Sequence, residues 1–456
     1  MSEAFDVDSL VDEQRIDRFN VLVVGWSFLT MLADGYDLTA MAFAAPELVN
    51  QWGIQTESLG MVFSASLFGI LFGAPLLGLA GDRFGRRNAI LVCLGICGLA
   101  TLAMVAATTT DHLFALRFLA GIGIGGLMPN TIALTSELSP QRYRARMIIF
   151  MFVGITVGGA LPGVIAATLV PTYGWQILFW IGGIFPLATL AGLWFVLPES
   201  IKWLARRKPG SQQSLAVARR MRADLTFPDD ARITATEESL SEKPVANIFE
   251  GRLAWITPLL WFSFAATLMA NFFLNSWMPL LFVKSGMSPE EAALASGLYH
   301  IGGTLGGLMI SVLVDRCGVT VIAMFLALAA PIVAAIGIES LPHIAVHLLS
   351  FAAGVAVLGA QFGNNASAGL IYPTGIRARA VGLAFGIGRF GSILGPLLGG
   401  YVIARNYPLQ QMFGIAALPL VLAAVAALLL TWHCWKRYGG IRLHEEPARS
   451  RPVASP

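Results

Sequence analysis

Charge is what this chain has least of. Of its 456 residues only 12% are Asp, Glu, Lys or Arg, against about 25% in an ordinary soluble protein. A water-soluble domain of this length is thereby excluded, and no nucleic-acid partner is expected. Cysteine is also sparse, with Cys93, Cys97, Cys317 and Cys434 the complete set. Cys93 and Cys97 share a helix-face spacing, but no His or further Cys completes a metal set, so all four read as small packing residues. The opening MSEAFDVDSLVDEQRIDRFN has neither a basic n-region nor a cleavage site. No signal peptide is expected, and the first apolar span itself directs insertion. HExxH, G-x-S-x-G and P-loop motifs are all missing. GIGIGG, Gly121 to Gly126, satisfies G-x-G-x-x-G, but it lies inside an apolar helix instead of after a strand, where its glycines permit close helix packing. No enzyme, cofactor or metal is implied.

Long apolar runs are what the chain does have, with a mean hydropathy of +0.70. Spans are expected at 20–43, 58–80, 89–108, 113–136, 145–170 and 175–197, then at 253–283, 289–313, 319–338, 343–370, 379–404 and 409–434. Each is near the roughly 20 residues a helix needs to cross hydrocarbon. The runs are continuous and lack the alternation of a barrel strand. The expected fold is an all-α membrane protein of twelve transmembrane helices in two six-helix bundles. The domains are then 1–197, a linker over 198–252, 253–434, and a tail over 435–456. The linker carries ARRKPG, ARRMRAD and the acidic ATEESLSEK; some short amphipathic helix is expected there, without a core.

Lys and Arg are distributed very unevenly about these spans. Of the 30, 26 fall in the two tails, the linker and the loops after spans 2, 4, 8 and 10. The opposite face holds Lys284 and Arg405, while Arg117 and Arg389 lie within spans. By the positive-inside rule both termini and the linker are cytoplasmic. The halves also repeat. GDRFGRR after span 2 is echoed by VDRCGVT after span 8, Asp82 to Asp315 being an offset of 233, and PQRYRAR matches PTGIRAR at the same offset, Pro140 to Pro373. A six-span repeat places a binding site between the halves near the midplane, with alternating access by rocking.

GLAGDRFGRR, Gly78 to Arg87, resembles the signature loop of the major facilitator superfamily. RFLAGIGIGGLMPN from Arg117 is similar to its fourth-helix motif, and LPESIKWL to the end of its sixth helix. DGYD in the first span and GIGRFGSILGPLLGG in the eleventh resemble the aromatic acid:proton symporter branch. The resemblance implies a multi-pass importer of the bacterial inner membrane for a small aromatic acid with protons, acting as a monomer in the lipid bilayer. Hydroxybenzoates, protocatechuate and benzoate are the substrate class, and both acids of DGYD are needed for transport. Another organic acid or a sugar as substrate, an exporter, and a transporter-like sensor of ring acids are the alternatives. Few acidic residues lie on the expected cavity helices, which favours an anion over a sugar.

The polar residues within spans divide into three groups. Asp34 and Asp37 share a helix face and form the expected proton-coupling pair, with Arg117 of the fourth span able to hold one of them ionised. A fixed structural ion pair is the other reading. Arg389 is the expected partner of a substrate carboxylate, which a planar guanidinium matches bidentately; a helix-packing role is the alternative. Asn130, Asn271, Asn275, Tyr299, His300, Gln361, Asn364 and Asn365 are expected to face a cavity, His300 foremost because it hydrogen-bonds a phenol and changes charge near neutrality. Tyr36, Phe272, Trp277, Tyr299 and Phe362 are available to stack on a ring, although most such aromatics face lipid or the interface. Gly78, Asp82, Arg83, Gly85, Arg86 and Arg87, with Asp315 and Arg316 as a reduced copy, are expected to form an ion-pair gate that opens and closes with the halves.

Overall fold

The computed structural model describes residues 4–208, 210–228, 231–234, 248–251, 253–372 and 374–438, without the side chains of 315–317, 369–370, 374–375, 377–378 and 434–438. Its long helices are α1 (Arg18–Trp52), α2 (Thr56–Phe84), α3 (Arg86–Ala103), α4 (Thr110–Glu137), α5 (Gln141–Thr168) and α6 (Gln176–Val196). The second half supplies α7 (Leu253–Lys284), α8 (Pro289–Cys317), α9 (Thr320–Ile336), α10 (His343–Ile371), α11 (Thr374–Ala404) and α12 (Leu409–Tyr438). Eleven carry an apolar window long enough to cross a membrane; α9 is the exception, with 17 residues. That length is still at the lower end of what spans. A helix satisfies its own backbone, which is why apolar runs in lipid take this form. The ends are set locally. Asp17 accepts from the amides of Phe19 and Asn20 while Asn20 returns a bond to Asp17, and Gly53 in the left-handed region (φ 62) ends the same helix.

The repeat is built into the packing. In the first half α1 packs on α5, α2 on α4 and α3 on α6; in the second α7 packs on α11, α8 on α10 and α9 on α12. Gly69, Gly73, Gly121 and Gly158 recur 233 residues later as Gly302, Gly306, Gly354 and Gly391. At all eight a Cβ would collide with a backbone carbonyl oxygen of the facing helix. Small residues let the backbones of paired membrane helices touch, so these helix pairs depend on hydrogen at that position.

The two halves meet on one face of the molecule and part on the other. On the face opposite the Asp82 loop, α2 packs on α11 and α5 on α8. Between the halves Ser64 donates to the Ile393 carbonyl at 3.0 Å and Thr304 to Thr156 at 2.7 Å, while within the second half Trp277 Nε1 donates to the Pro396 carbonyl at 3.0 Å. Phe63 stands edge-on to Trp277, with ring centroids 5.0 Å apart. On the Asp82 face, Gly78 of α2 and Gly382 and Gly386 of α11 have no side-chain or inter-helix neighbour within 4 Å of a built Cβ. Leu76, Leu79 and Phe84 are exposed there.

The linker departs from expectation. Helices Ile201–Arg207 and Gln212–Met221 fold back beneath the first half and pack against a helix of the N-terminal tail, Val7–Asp12. Leu204, Leu215, Ala218 and Met221 are buried with Val7, Leu10 and Val11, and Phe5 meets Phe227 at 5.0 Å. Strand β1 (Ala4–Asp6) pairs in parallel with β2 (Arg232–Thr234), Phe5 opposite Ile233. The expectation of a linker without a core is thus overturned: its apolar residues pair with apolar residues of the tail roughly 200 positions away, a partner no local pattern discloses. ATEESLSEK lies outside the described residues.

Candidate functional site

DGYD lies midway along α1, and the two acids have different surroundings. Asp37 is held from two other helices. Arg117 of α4 donates through Nη1 to the Asp37 carboxylate at 2.9 Å and to its backbone carbonyl at 2.8 Å, and Thr101 of α3 donates to the other carboxylate oxygen at 2.5 Å. Asp37 and Arg117 are 1% and 2% exposed. An ion pair sealed so completely needs added hydrogen bonds to offset its desolvation; Thr101 and the Asp37 carbonyl supply two, and Arg117 Nε is left without a partner. Asp34, one turn earlier and also buried, has an Oδ1 with no hydrogen-bond partner. The cation whose field reaches it is Arg389, from α11 of the other half, and the two make no ion pair among the described residues.

Several expected cavity residues come together on α7 and α8. Tyr299 donates to Asn271 at 2.6 Å, and His300 Nε2 lies 3.1 Å from the Asn275 side-chain oxygen. His300 also packs against Gly159 of the first half, which places it at the seam. Gln361 donates to Asn365 at 3.3 Å and keeps a buried Oε1 without a partner. Others go elsewhere. Asn364 uses its amide on Ser263 and Thr267, tying α10 to α7. Trp277 stands against Phe63 at the seam, Tyr36 donates to the Leu178 carbonyl at 2.9 Å, and Phe362 packs against Gly307.

Asn130 is not with the other amides. Its NH2 donates to the carbonyls of Leu77 and Gly126 at 2.9 and 2.8 Å, and its oxygen accepts from Arg86 at 3.3 Å. It therefore sits under the loop that joins α2 to α3. There Arg86 pairs with Asp82 of its own loop and lies 3.8 Å from Glu137. Gly85 adopts φ 103 and a Cβ on it would strike the Glu199 carboxylate. Glu199 accepts from the amides of Arg87 at 3.1 Å and Ser200 at 2.9 Å, Ser200 donates to Glu137, and Trp203 Nε1 donates to the Asp82 carbonyl at 3.0 Å. Arg87 donates to the carbonyls of Leu197 and Trp194. Burial raises Glu199 above the ordinary carboxylate value, against the opposing pull of those hydrogen bonds. Arg83 stacks over Phe84 at 5.5 Å and does not join the cluster. The side chains of Asp315 and Arg316 lie outside the described residues.

Two halves packed alike, parted on one face and joined on the other, with buried ionisable residues between them, agree with what known proteins show. The profile of the Major Facilitator Superfamily matches residues 27–359 and again 260–452. The chain belongs to the major facilitator superfamily. It is a membrane transporter and not an enzyme. Among its superfamily relatives, a gallate transporter of Pseudomonas putida is 36% identical over 98% of both chains. The 4-hydroxybenzoate transporter PcaK of Pseudomonas aeruginosa is 35% identical, over 94% of this chain and 96% of the relative. A benzoate transport protein of Acinetobacter baylyi is 32% identical, over 94% and 93%. In fold the chain is similar to an inward-facing bacterial homologue of the lysosomal transporter Spinster, with a TM-score of 0.70 at 17% identity over 92% of this chain and 99% of that one. A D-xylose–proton symporter gives 0.66 at 18%, over 90% and 97%.

Within this superfamily member, sequence reasoning missed Glu137, Glu199, Trp203 and Thr101. Glu199 lay in plain view within LPES, a motif quoted for its likeness without a role for its acid. Thr101 has no signal at all, because a lone Thr in an apolar helix usually bonds its own preceding turn.

Proposed function

We propose that the protein imports a small aromatic carboxylate with protons by alternating access, as a monomer in a bacterial inner membrane, with both termini cytoplasmic. The substrate class is supported by relatives for gallate, 4-hydroxybenzoate and benzoate at 32–36% identity, and the orientation by the basic residues gathered around the Asp82 face. In this reading the bundles of residues 1–197 and 253–434 rock about the site, and the conformation described here is open to the cytoplasm.

The observation that carries the mechanism is the unlike setting of Asp34 and Asp37. Asp37 is the fixed member, its charge held by Arg117 and Thr101. Asp34 is the exchanging member: a buried carboxylate without a hydrogen bond is costly as an ion, and a proton removes that cost. Arg389 faces it from the other half, so a substrate carboxylate arriving at Arg389 competes with Asp34 for one cation and favours protonation of Asp34. Proton and substrate binding are thereby coupled across the cleft. Tyr299, His300, Asn271, Asn275 and Gln361 hold the ring hydroxyls, and Asn130 and Asn364 act on helix packing. The loop from Gly78 to Arg87, with its counterpart at Asp315 and Arg316, is the gate. One proton per anion cancels the roughly 2.3 kcal/mol per 100 mV that opposes entry of a negative charge.

Proteoliposomes test this directly. Asp34→Asn should abolish accumulation of labelled 4-hydroxybenzoate under an imposed proton gradient while leaving exchange across the membrane measurable. Normal accumulation by the variant removes Asp34 from coupling, and accumulation of a sugar or release from loaded cells in place of aromatic-acid uptake removes the import reading.

A further inference from the structure

The face opposite the Asp82 loop is unwelcoming to an anion. Glu47, Glu57, Asp111, Glu290, Glu291 and Glu339 lie at its helix ends and loops, while Lys284 and Arg405 are its only Lys or Arg residues. Both of those are found at one place. A cavity of about 410 Å³ opens where the end of α7 meets the loops α9–α10 and α11–α12, and its size is in the range of small-molecule sites. Lys284 and Glu339 both line it without forming an ion pair with each other, beside Tyr407 and Asn406, with Leu281 and Met412 as apolar wall. Arg405, stacked at 5.0 Å over Tyr401, adjoins it in the chain.

Ser285, which also lines this cavity, donates its hydroxyl to the Phe282 carbonyl at 2.8 Å, and the other polar side chains are uncommitted. Among the described residues neither Lys284, Glu339 nor the side chains of Asn406 and Tyr407 make a hydrogen bond or ion pair. Asn406 is also the one non-glycine described with positive φ, at 54, a conformation Asn adopts more readily than most residues and one that clusters at binding sites. Lys284 stands seven residues beyond Trp277, on the same face of α7 and two turns out from the closed seam. A cation, an aromatic and apolar wall, and a hydrogen-bond acceptor set apart from the cation match a small ring that carries a carboxylate at one end and a hydroxyl at the other.

We infer that this cavity is a second, outer binding site for a phenolic aromatic carboxylate, distinct from the cleft between the halves. The carboxylate meets Lys284, the ring lies on Tyr407 and Met412, and the hydroxyl donates to Glu339. On an otherwise acidic face such a site concentrates the anion beside the seam through which it must enter. The ligand's role as cargo rests on the function proposed above; the cavity's affinity for it does not.

The full chain in nanodiscs, with its five lysines carrying ¹³C-dimethyl labels, provides the test, and Lys284→Gln assigns the signal. Titration with 4-hydroxybenzoate should move the Lys284 resonance saturably, also in an Arg389→Ala background, while acetate and 4-hydroxybenzamide leave it nearly still. An unmoved resonance, or one moved equally by acetate as a mere counter-ion, overturns the site. In uptake, Lys284→Gln should raise KM about three- to tenfold at low ionic strength with kcat unchanged, the difference closing in high salt; an unchanged KM counts against it. A saturable shift in protein that does not accumulate 4-hydroxybenzoate keeps the cavity and removes the importer reading. Accumulation with a silent Lys284 does the reverse.

Discussion

At the scale of single residues, environment separates side chains that composition treats alike. Asp34 and Asp37 are the same acid three positions apart, yet one has an Arg and a Thr on its oxygens and the other a bare Oδ1. Helical periodicity disclosed that they share a face. It was silent on which neighbour each would meet, because Thr101 and Arg117 arrive from helices whose rotation is set by packing. Glu199 illustrates the consequence for stability. Its pKa is raised by burial, so the folded protein binds its proton more tightly than the unfolded chain does. Stability contributed by that proton is present at low pH and declines as pH rises from the ordinary carboxylate value through the raised one. Glu199→Gln, which still accepts from the Arg87 amide, should flatten the change in melting temperature over that interval in detergent, and a profile identical to the parent would show that Glu199 does not titrate there.

At the scale of elements, the twelve spans were legible because hydrocarbon imposes a length and a composition that no other environment does. Their ends ran longer than hydropathy alone suggests: α1 continues from Arg18 to Trp52 where the apolar run reads 20–43. Pairing was less legible. Loops at a 233-residue offset announced the repeat, but the glycines that execute it, Gly121 and Gly354 among them, are scattered among 48 glycines and are recognisable only by what a Cβ would strike. Gly121→Ala should destabilise the protein by roughly 1–3 kcal/mol through forced separation of α2 and α4, read as a lower melting temperature. Gly25→Ala on α1, where nothing lies within 4 Å, should be neutral or slightly stabilising, as expected from helix propensity. Equal effects at the two positions would deny the close approach its role.

At the scale of the whole molecule, the halves are joined on one face by bonds such as Ser64 to Ile393 and Thr304 to Thr156, and separated on the other. Rocking must exchange these two conditions. Spin labels at Leu79 and Leu383, both exposed on the open face, should report a long separation that shortens when proton and 4-hydroxybenzoate gradients drive the transporter. A distance that stays fixed under all conditions would count against alternating access in this form. The folded cap of tail and linker under the first half implies that this half moves as one body with its loops, since Trp203 and Glu199 hold the Asp82 loop from the linker side.

By itself the sequence determined that the chain lives in a bilayer, how many times it crosses, which face carries its basic residues, and that its halves are copies. Those properties follow from composition and periodicity, which act through the solvent and need no knowledge of neighbours. Tertiary structure alone decided which acid is paired and which is bare, that Asn130 bonds under the Asp82 loop and not within the amide cluster, that the linker acquires a core from the tail, and that Lys284 opens onto a cavity. Each of these depends on contacts between positions tens to hundreds of residues apart, and such contacts exist only after the helices have packed.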